Sequence, residues 1–277
     1  MGQKTSIEWT NHTFNPWWGC MKVSQGCKHC YAESWAKRYG HDIWGIEKNR
    51  RTFSRQHWSQ PKRWHNSAIK NNERKRVFCA SMADVFEDNP YVDSEREKLW
   101  QVIDDTEMLD WLLLTKRPQN MTSFVPWTSK WPNNVWAMTS VEDQEQADER
   151  IPLLLDVPAK IRGLSVEPLL GPLDLQPWLN NLHWVIVGGE SGGGSRPMHP
   201  DWVRSLRDQC QEHNVSFFFK QWGNWIPSED DVKAKKVQFT PGKDGSQDCL
   251  MRRVSKKMAG RIIDNQQWDE VPHYSLE

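Results

Sequence analysis

The sequence predicts an α/β fold, a partial or complete (β/α) barrel with an irregular C-terminal appendage. Three observations carry this. Short apolar, β-prone runs recur with their starts roughly 20 to 35 residues apart, the size of one βα unit. The runs are nearly continuous in apolar residues, as strands buried on both faces of a parallel sheet should be. Between them lie helical stripes, and polar residues follow each run. A doubly wound open sheet is the rival architecture.

The runs are Val77–Ser81, Trp111–Thr115, Val135–Thr139, Ile161–Ser165, Trp184–Gly188 and Val215–Phe219. One further strand is expected before Cys20, which makes about seven. Among the helices, Ala32, Trp35, Ala36 and Tyr39 share one face, with Gly40 as C-cap. Leu99, Val102 and Ile103 form a second stripe. Ala147, Ile151, Leu154 and Leu155 form a third, interrupted by Pro152. Val203, Leu206 and Cys210 form a fourth, with Pro200 placed for its first turn. The pattern stops after Trp225, so the barrel is assigned to residues 1–225 and the appendage to 226–277.

Three of the six cysteines, Cys20, Cys27 and Cys30, fall in a C-x6-C-x2-C spacing just after the expected first strand. Clustered thiolates are soft ligands suited to zinc or an iron–sulfur cluster. A closed zinc site wants four ligands, so three thiolates leave one position open. His29, His12 or His41 could complete a zinc site; a disulfide and simple buried thiols are the other readings. The polar residues after the runs would gather on the C-terminal rim, where βα barrels carry their active sites. They include Ser81 and Asp84, Lys116 and Arg117, Ser140 and Glu142, Ser165 and Glu167, Glu190, and Lys220 and Gln221. Structural ion pairing, as between Lys116 and Glu142, is the plainer reading of any one pair.

Gly188–Ser195 is glycine-rich but lacks the lysine of a Walker loop, and no G-x-G-x-x-G occurs. This argues against a P-loop NTPase and a Rossmann dehydrogenase. The glycines still allow a backbone to approach an adenosine or phosphate. Residues 48–76, an insertion in the barrel, hold ten Lys or Arg against one acid, in a chain of zero net charge. Aromatics interleave with these bases, a pattern suited to phosphate contact with base stacking. Lys62, Arg63, Trp64, Arg74 and Lys75 are the candidate nucleic-acid contacts. The alternative is a solvated face paired with the acids between Asp84 and Asp110. No apolar run is long enough to span a membrane, and no signal-peptide pattern opens the chain, so a cytoplasmic protein with reduced thiols is expected.

Several motifs together carry a resemblance. They are Thr13-Phe-Asn-Pro-Trp-Trp-Gly-Cys20, Gly26-Cys-Lys-His-Cys-Tyr-Ala32, Leu113-Leu-Thr-Lys-Arg-Pro118, Ser165-Val-Glu-Pro-Leu-Leu-Gly-Pro172, Gly188-Gly-Glu-Ser-Gly192 and Phe219-Lys-Gln-Trp-Gly223. Over nearly the whole chain the sequence resembles the phage-associated three-cysteine-motif family, a family of unknown function described as radical-S-adenosylmethionine-like. The resemblance implies a barrel of the radical-S-adenosylmethionine type, with a [4Fe–4S] cluster on Cys20, Cys27 and Cys30. It further implies that S-adenosylmethionine binds the open iron and is cleaved to a 5′-deoxyadenosyl radical, which requires an electron donor. The first cysteine gap departs from the superfamily's usual three residues. Gly188-Gly189-Glu190 lies far later than the superfamily's Gly-Gly-Glu, so that role is not carried over; Ser81 and Asp84 occupy the equivalent region. On this reading Lys116, Glu167 and Lys220 are candidate catalytic residues. Ser81, Asp84, Ser140, Glu142, Gly188, Gly189 and Glu190 are candidate cofactor contacts. A nucleic acid or nucleotide is the expected substrate. A zinc-stabilised nucleic-acid-binding protein without catalysis is the alternative.

Overall fold

Seven parallel strands form one sheet whose spatial order is their chain order: β1 (His12–Thr13), β2 (Lys75–Cys79), β3 (Leu109–Thr115), β4 (Val135–Ser140), β5 (Ile161–Val166), β6 (Trp184–Gly188) and β7 (Ser216–Gln221). The computed structural model describes residues 5–127, 130–228, 237–240 and 249–272. A doubly wound sheet reverses its strand order at a switch point; this one never does, so the rival architecture is excluded. β1 and β7 are the two ends of the order, so the barrel is partial, a curled half-barrel.

The curl follows from two separate cores. Alternate strand residues point to opposite faces. Phe78, Leu112, Trp136, Met138, Ile161, Trp184, Ile186 and Phe218 pack with Trp9 on the inner face. Their neighbours Val77, Cys79, Trp111, Leu113, Val135, Ala137, Leu164, Val185, Val187, Phe217 and Phe219 form the outer core with the helices. A buried aromatic of this size contributes about 1.5–3 kcal/mol. The inner face is therefore a filled core over its lower part, and only its upper end is open to a ligand.

The connections are α1 (Tyr31–Arg38), α2 (Arg55–Trp58), α3 (Gln60–Asn71), α4 (Asp93–Asp104), α5 (Met121–Phe124), α6 (Gln144–Leu155), α7 (Gln176–Leu179) and α8 (Pro200–Glu212). Most of the expected stripe residues are buried: Ala32 and Ala36 on α1, Leu99 and Ile103 on α4, Ala147, Ile151 and Leu154 on α6, and Val203, Leu206 and Cys210 on α8, whereas Tyr39, expected on the α1 face, lies past the last turn and is exposed. Asp143 caps α6 by accepting from the Gln146 N–H at 3.0 Å, and the helix runs through Pro152 to Leu155.

The tail adds β8 (Trp225–Pro227), β9 (Val237–Thr240) and β10 (Cys249–Arg253) as a small antiparallel sheet. After α9 (Lys256–Ala259) come β11 (Ile262–Ile263) and β12 (Gln266–Gln267), a hairpin turning through Asp264 and Asn265, both at positive φ. Residues 268–270 then lie antiparallel along the outer edge of β7. The Phe219 N–H donates to the Trp268 carbonyl at 3.0 Å, and the Phe217 N–H to Glu270 Oε2 at 2.8 Å. Among the described residues, no helix is long and apolar enough to cross a membrane.

Candidate functional site

Above the aromatic floor of Trp9 and Phe78, at the C-terminal ends of the strands, the half-barrel opens into a cavity of about 230 Å³. The loop from Gly19 to Cys30 forms one wall. Cys20, Cys27 and Cys30 all line the cavity, and none is in a disulfide. Sequence spacing alone leaves their relation open; the fold puts them on one space.

The opposite wall comes from residues at the strand ends. Ser81, Asp84, Lys116, Ser140, Glu167, Gly189, Glu190 and Lys220 all line the cavity. Their parity explains this. Ser140, Ser165 and Lys220 are in phase with the inward residues of β4, β5 and β7. Lys220 Nζ pairs with Glu167 Oε1 at 2.8 Å, and Ser165 Oγ donates to Glu167 Oε2 at 3.1 Å. A Cβ on Gly188 would stand 2.6 Å from Glu167 Oε1. Gly188 therefore makes room for Glu167 rather than facing a ligand itself.

Asp84 is buried and fully engaged. It accepts from Thr115 Oγ1 at 2.6 Å and from the Lys116 N–H at 3.2 Å, and pairs with Arg117 Nη1 at 2.8 Å. Arg117 Nη1 also lies 3.8 Å from Cys20 Sγ. Burial, and next the charge of Asp84, push the Cys20 thiol well above its ordinary value despite Arg117; burial also raises Cys30. Ser81 Oγ meets the amide of Asn15, and the Ser81 carbonyl accepts from the Tyr31 hydroxyl at 2.8 Å. Glu190 is held by Arg196, whose Nη2 lies 2.6 Å from its Oε1.

Two candidate contacts, Gly188 and Glu142, do not line the cavity. Glu142 has no exposed surface and is behind the cavity wall. It is bound to Arg150 Nη1 at 3.0 Å, to Lys116 Nζ at 3.7 Å and to the Gly26 N–H at 3.1 Å. Burial alone would raise its carboxyl. The charges of Lys116 and Arg150, with hydrogen bonds from Ser24 and Gly26, bring it below the usual carboxylate range.

The basic insertion also needs correction. Trp64, expected to stack on bases, is buried on α3 with its ring face taken by His12 at 4.3 Å and its edge packed near Phe14. Arg74 pairs with Asp110 at 2.6 Å and Lys75 with Glu73 at 2.5 Å, both near the N-terminal start of β2, opposite the cavity. Arg50 is buried against Glu87 at 2.6 Å. Two acids between Asp84 and Asp110 thus neutralise insertion residues, the plainer reading of that charge run. Lys62 and Arg63 remain exposed on the outer side of α3.

Two contributors are not among the site residues expected from the sequence. Tyr31 belongs to the cysteine motif, but its context there marks only a helix start. Arg196 follows the glycine-rich loop without any motif of its own.

The donor chemistry suits a metal centre: three free thiols on one loop share one cavity. Among the described residues, no three His, Cys, Asp or Glu side chains already converge on a common metal position. Cys20, Cys27 and Cys30 would hold a metal there as thiolates, releasing their protons on binding.

Fold and site define a class: an open βα half-barrel carrying a three-cysteine loop on its C-terminal rim. The chain belongs to the family described as protein of unknown function (DUF5131), which matches residues 4–272. No curated protein matches the chain. Among solved structures it is similar to a mutant of spore photoproduct lyase, at 12% identity and a TM-score of 0.42, over 87% of this chain and 68% of the other.

Proposed function

We propose that this protein is a radical-S-adenosylmethionine enzyme of the phage-associated three-cysteine type. The observation that carries the proposal is the placement of Cys20, Cys27 and Cys30 on the same cavity as the polar ends of the strands. Cys20, Cys27 and Cys30 would hold a [4Fe–4S] cluster, and the cavity would receive S-adenosylmethionine. Together these groups supply one-electron chemistry leading to hydrogen abstraction.

The chain's own residues have separate tasks. Trp9 and Phe78 close the floor and exclude water from below. The Lys220–Glu167 pair and Ser165 offer donors and acceptors on the β5–β7 side. Lys116 offers a cation between the cysteine loop and β4. Its partner Glu142 is already engaged by Arg150, so Lys116 is the best placed to meet an anionic group of a ligand. A nucleotide or nucleic acid is the substrate class we favour. What supports it is the exposed set Arg55, Lys62, Arg63 and Lys70 on α2 and α3, without Trp64 as a platform.

Anaerobic purification with metal analysis tests this reading. Brown protein with sulfide and about four irons per chain is expected. Ala at Cys20, Cys27 or Cys30 should remove the colour, whereas Cys210→Ala, in the outer core, should keep it. The loaded, reduced protein should bind S-adenosylmethionine and release 5′-deoxyadenosine. Colourless protein with one zinc per chain would replace the enzyme by a zinc-stabilised nucleic-acid-binding protein.

A further inference from the structure

We infer that the three-cysteine loop is clamped in place, before any metal arrives, by charged side chains from the segments that follow three different strands: Arg117, Glu142 and Arg196. These are positioning residues. None of them ligates, and each holds the loop by its backbone. Arg117, after β3, donates Nη2 to the Met21 carbonyl at 2.8 Å. Glu142, after β4, accepts from the Gly26 N–H at 3.1 Å. Arg196, after β6, donates Nη2 to the Gln25 carbonyl at 3.1 Å.

Each clamp is itself fixed by an opposite charge. Arg117 rests on Asp84 at 2.8 Å, Glu142 on Arg150 at 3.0 Å and Arg196 on Glu190 at 2.6 Å. Hydrogen bonds involving a charged partner are about twice as strong as neutral ones. Three of them on a short irregular loop offset much of the entropy that the loop would otherwise keep. The fit is close enough to restrict sequence. A Cβ on Gly26 would stand 2.9 Å from Glu142 Cδ, and one on Gly194 would stand 2.7 Å from the ring of His29. The first contact ties the loop to β4, the second to the glycine-rich segment after β6. Asp84, Glu142 and Glu190, three of the candidate cofactor contacts, thus serve the loop's geometry.

The loop's role as a metal site rests on the function proposed above, but the clamp does not, so the test has two arms. In the first, amide hydrogen exchange is measured on metal-free protein. Glu142→Leu and Arg196→Gln should each speed exchange in the peptide covering residues 21–28 about tenfold, the loss of one charge-assisted hydrogen bond. Glu142→Gln keeps an acceptor for Gly26 and should restore most of the protection. Exchange in β4 and β6 should hold steady. Two variants leave Glu142 in place: Arg196→Gln alone, and Arg196→Gln combined with Glu190→Gln. Unchanged loop exchange in both would overturn the clamp even if Glu142→Leu failed to fold. In the second arm, iron per chain is compared after reconstitution, and the electron paramagnetic resonance signal after one-electron reduction of the cluster with dithionite. The variants should hold less iron and give a broadened signal; full loading with the wild-type signal would count against the clamp. Wild-type protein that takes no iron overturns the proposed function alone, and the exchange arm still decides the clamp.

Discussion

Gln221 shows at the scale of a residue how a site can be read from what is left unsatisfied. It ends β7, lines the cavity and is 8% exposed. Its Nε2 faces the Gly189 carbonyl at 3.4 Å, while its Oε1 has no partner. Turning the amide over would place oxygen against oxygen, so the orphan is an acceptor. Such an atom, buried and unmatched, costs about 1–3 kcal/mol. A ligand N–H or O–H in the cavity would relieve it. Gln221→Leu should therefore leave thermal stability unchanged or raised and, under the proposed function, weaken S-adenosylmethionine binding about tenfold; calorimetric unfolding and titration would check both. Lower stability with unchanged affinity would make Gln221 an ordinary core residue. The sequence marks the cysteines and the polar strand ends, because thiol spacing and strand phase are local properties. Glu142 is legible as polar, at a strand end and a candidate ion-pair partner of Lys116, and the structure bears out that buried pairing, but its hold on the cysteine loop is not legible. Its place depends on Gly26, more than a hundred residues earlier, and no local pattern encodes that contact.

At the scale of elements, period and length carry most of the information. The runs starting at Val135, Ile161 and Trp184 begin where β4, β5 and β6 begin. β2 and β3 begin two residues before their expected starts, because Lys75, Arg76, Leu109 and Asp110 pair along the sheet although polar residues interrupt the apolar pattern. β1 has only two residues and no apolar run, so its position can be inferred only from the cysteine loop behind it. The glycines after β6 suggest freedom to approach a ligand; at Gly189 the close approach is to the protein itself. A Cβ there would stand 2.2 Å from the Trp222 carbonyl oxygen and 2.7 Å from its carbon. Both neighbours are backbone, and the Gly189 N–H is bonded to the Gln221 carbonyl at 2.9 Å, so the strand ends cannot part cheaply. Gly189→Ala should destabilise the fold by about 1–3 kcal/mol through overpacking. Denaturant unfolding with an unchanged slope would confirm it. Stability equal to wild type would mean that the β6 and β7 ends move apart freely.

For the whole molecule, the problem set by seven strands is that the sheet stops. An open barrel leaves a strand edge with unpaired donors and acceptors, a template for association with other chains. The tail answers this at β7. Residues 268–270 pair with it through Phe219 N–H to the Trp268 carbonyl at 3.0 Å and Glu270 N–H to the Phe217 carbonyl at 3.2 Å. Glu270 adds its carboxylate to the Phe217 N–H, and its carbonyl accepts from Trp184 Nε1 at 2.8 Å, on the inner core. Trp268 packs edge-on to Phe217 at 5.9 Å, and Arg204 and Arg207 of α8 grip Asp264 at 2.8 Å each. The sequence offers no apolar period for this segment, since it is shaped by the edge it covers rather than by a pattern of its own. A chain ending at residue 261 should therefore lose the hairpin and the edge strand together. Four hydrogen bonds at about 1 kcal/mol each, with the burial of Ile263 and Trp268, approach the whole stability of an ordinary domain. The shortened protein should elute as aggregates in size-exclusion chromatography and unfold at much lower denaturant. Fusing residues 262–277 back through a cleavable linker should restore the elution volume of the full-length protein until the linker is cut. A shortened chain that elutes like the full-length protein, with the full-length unfolding midpoint, would show that β7 needs no cover.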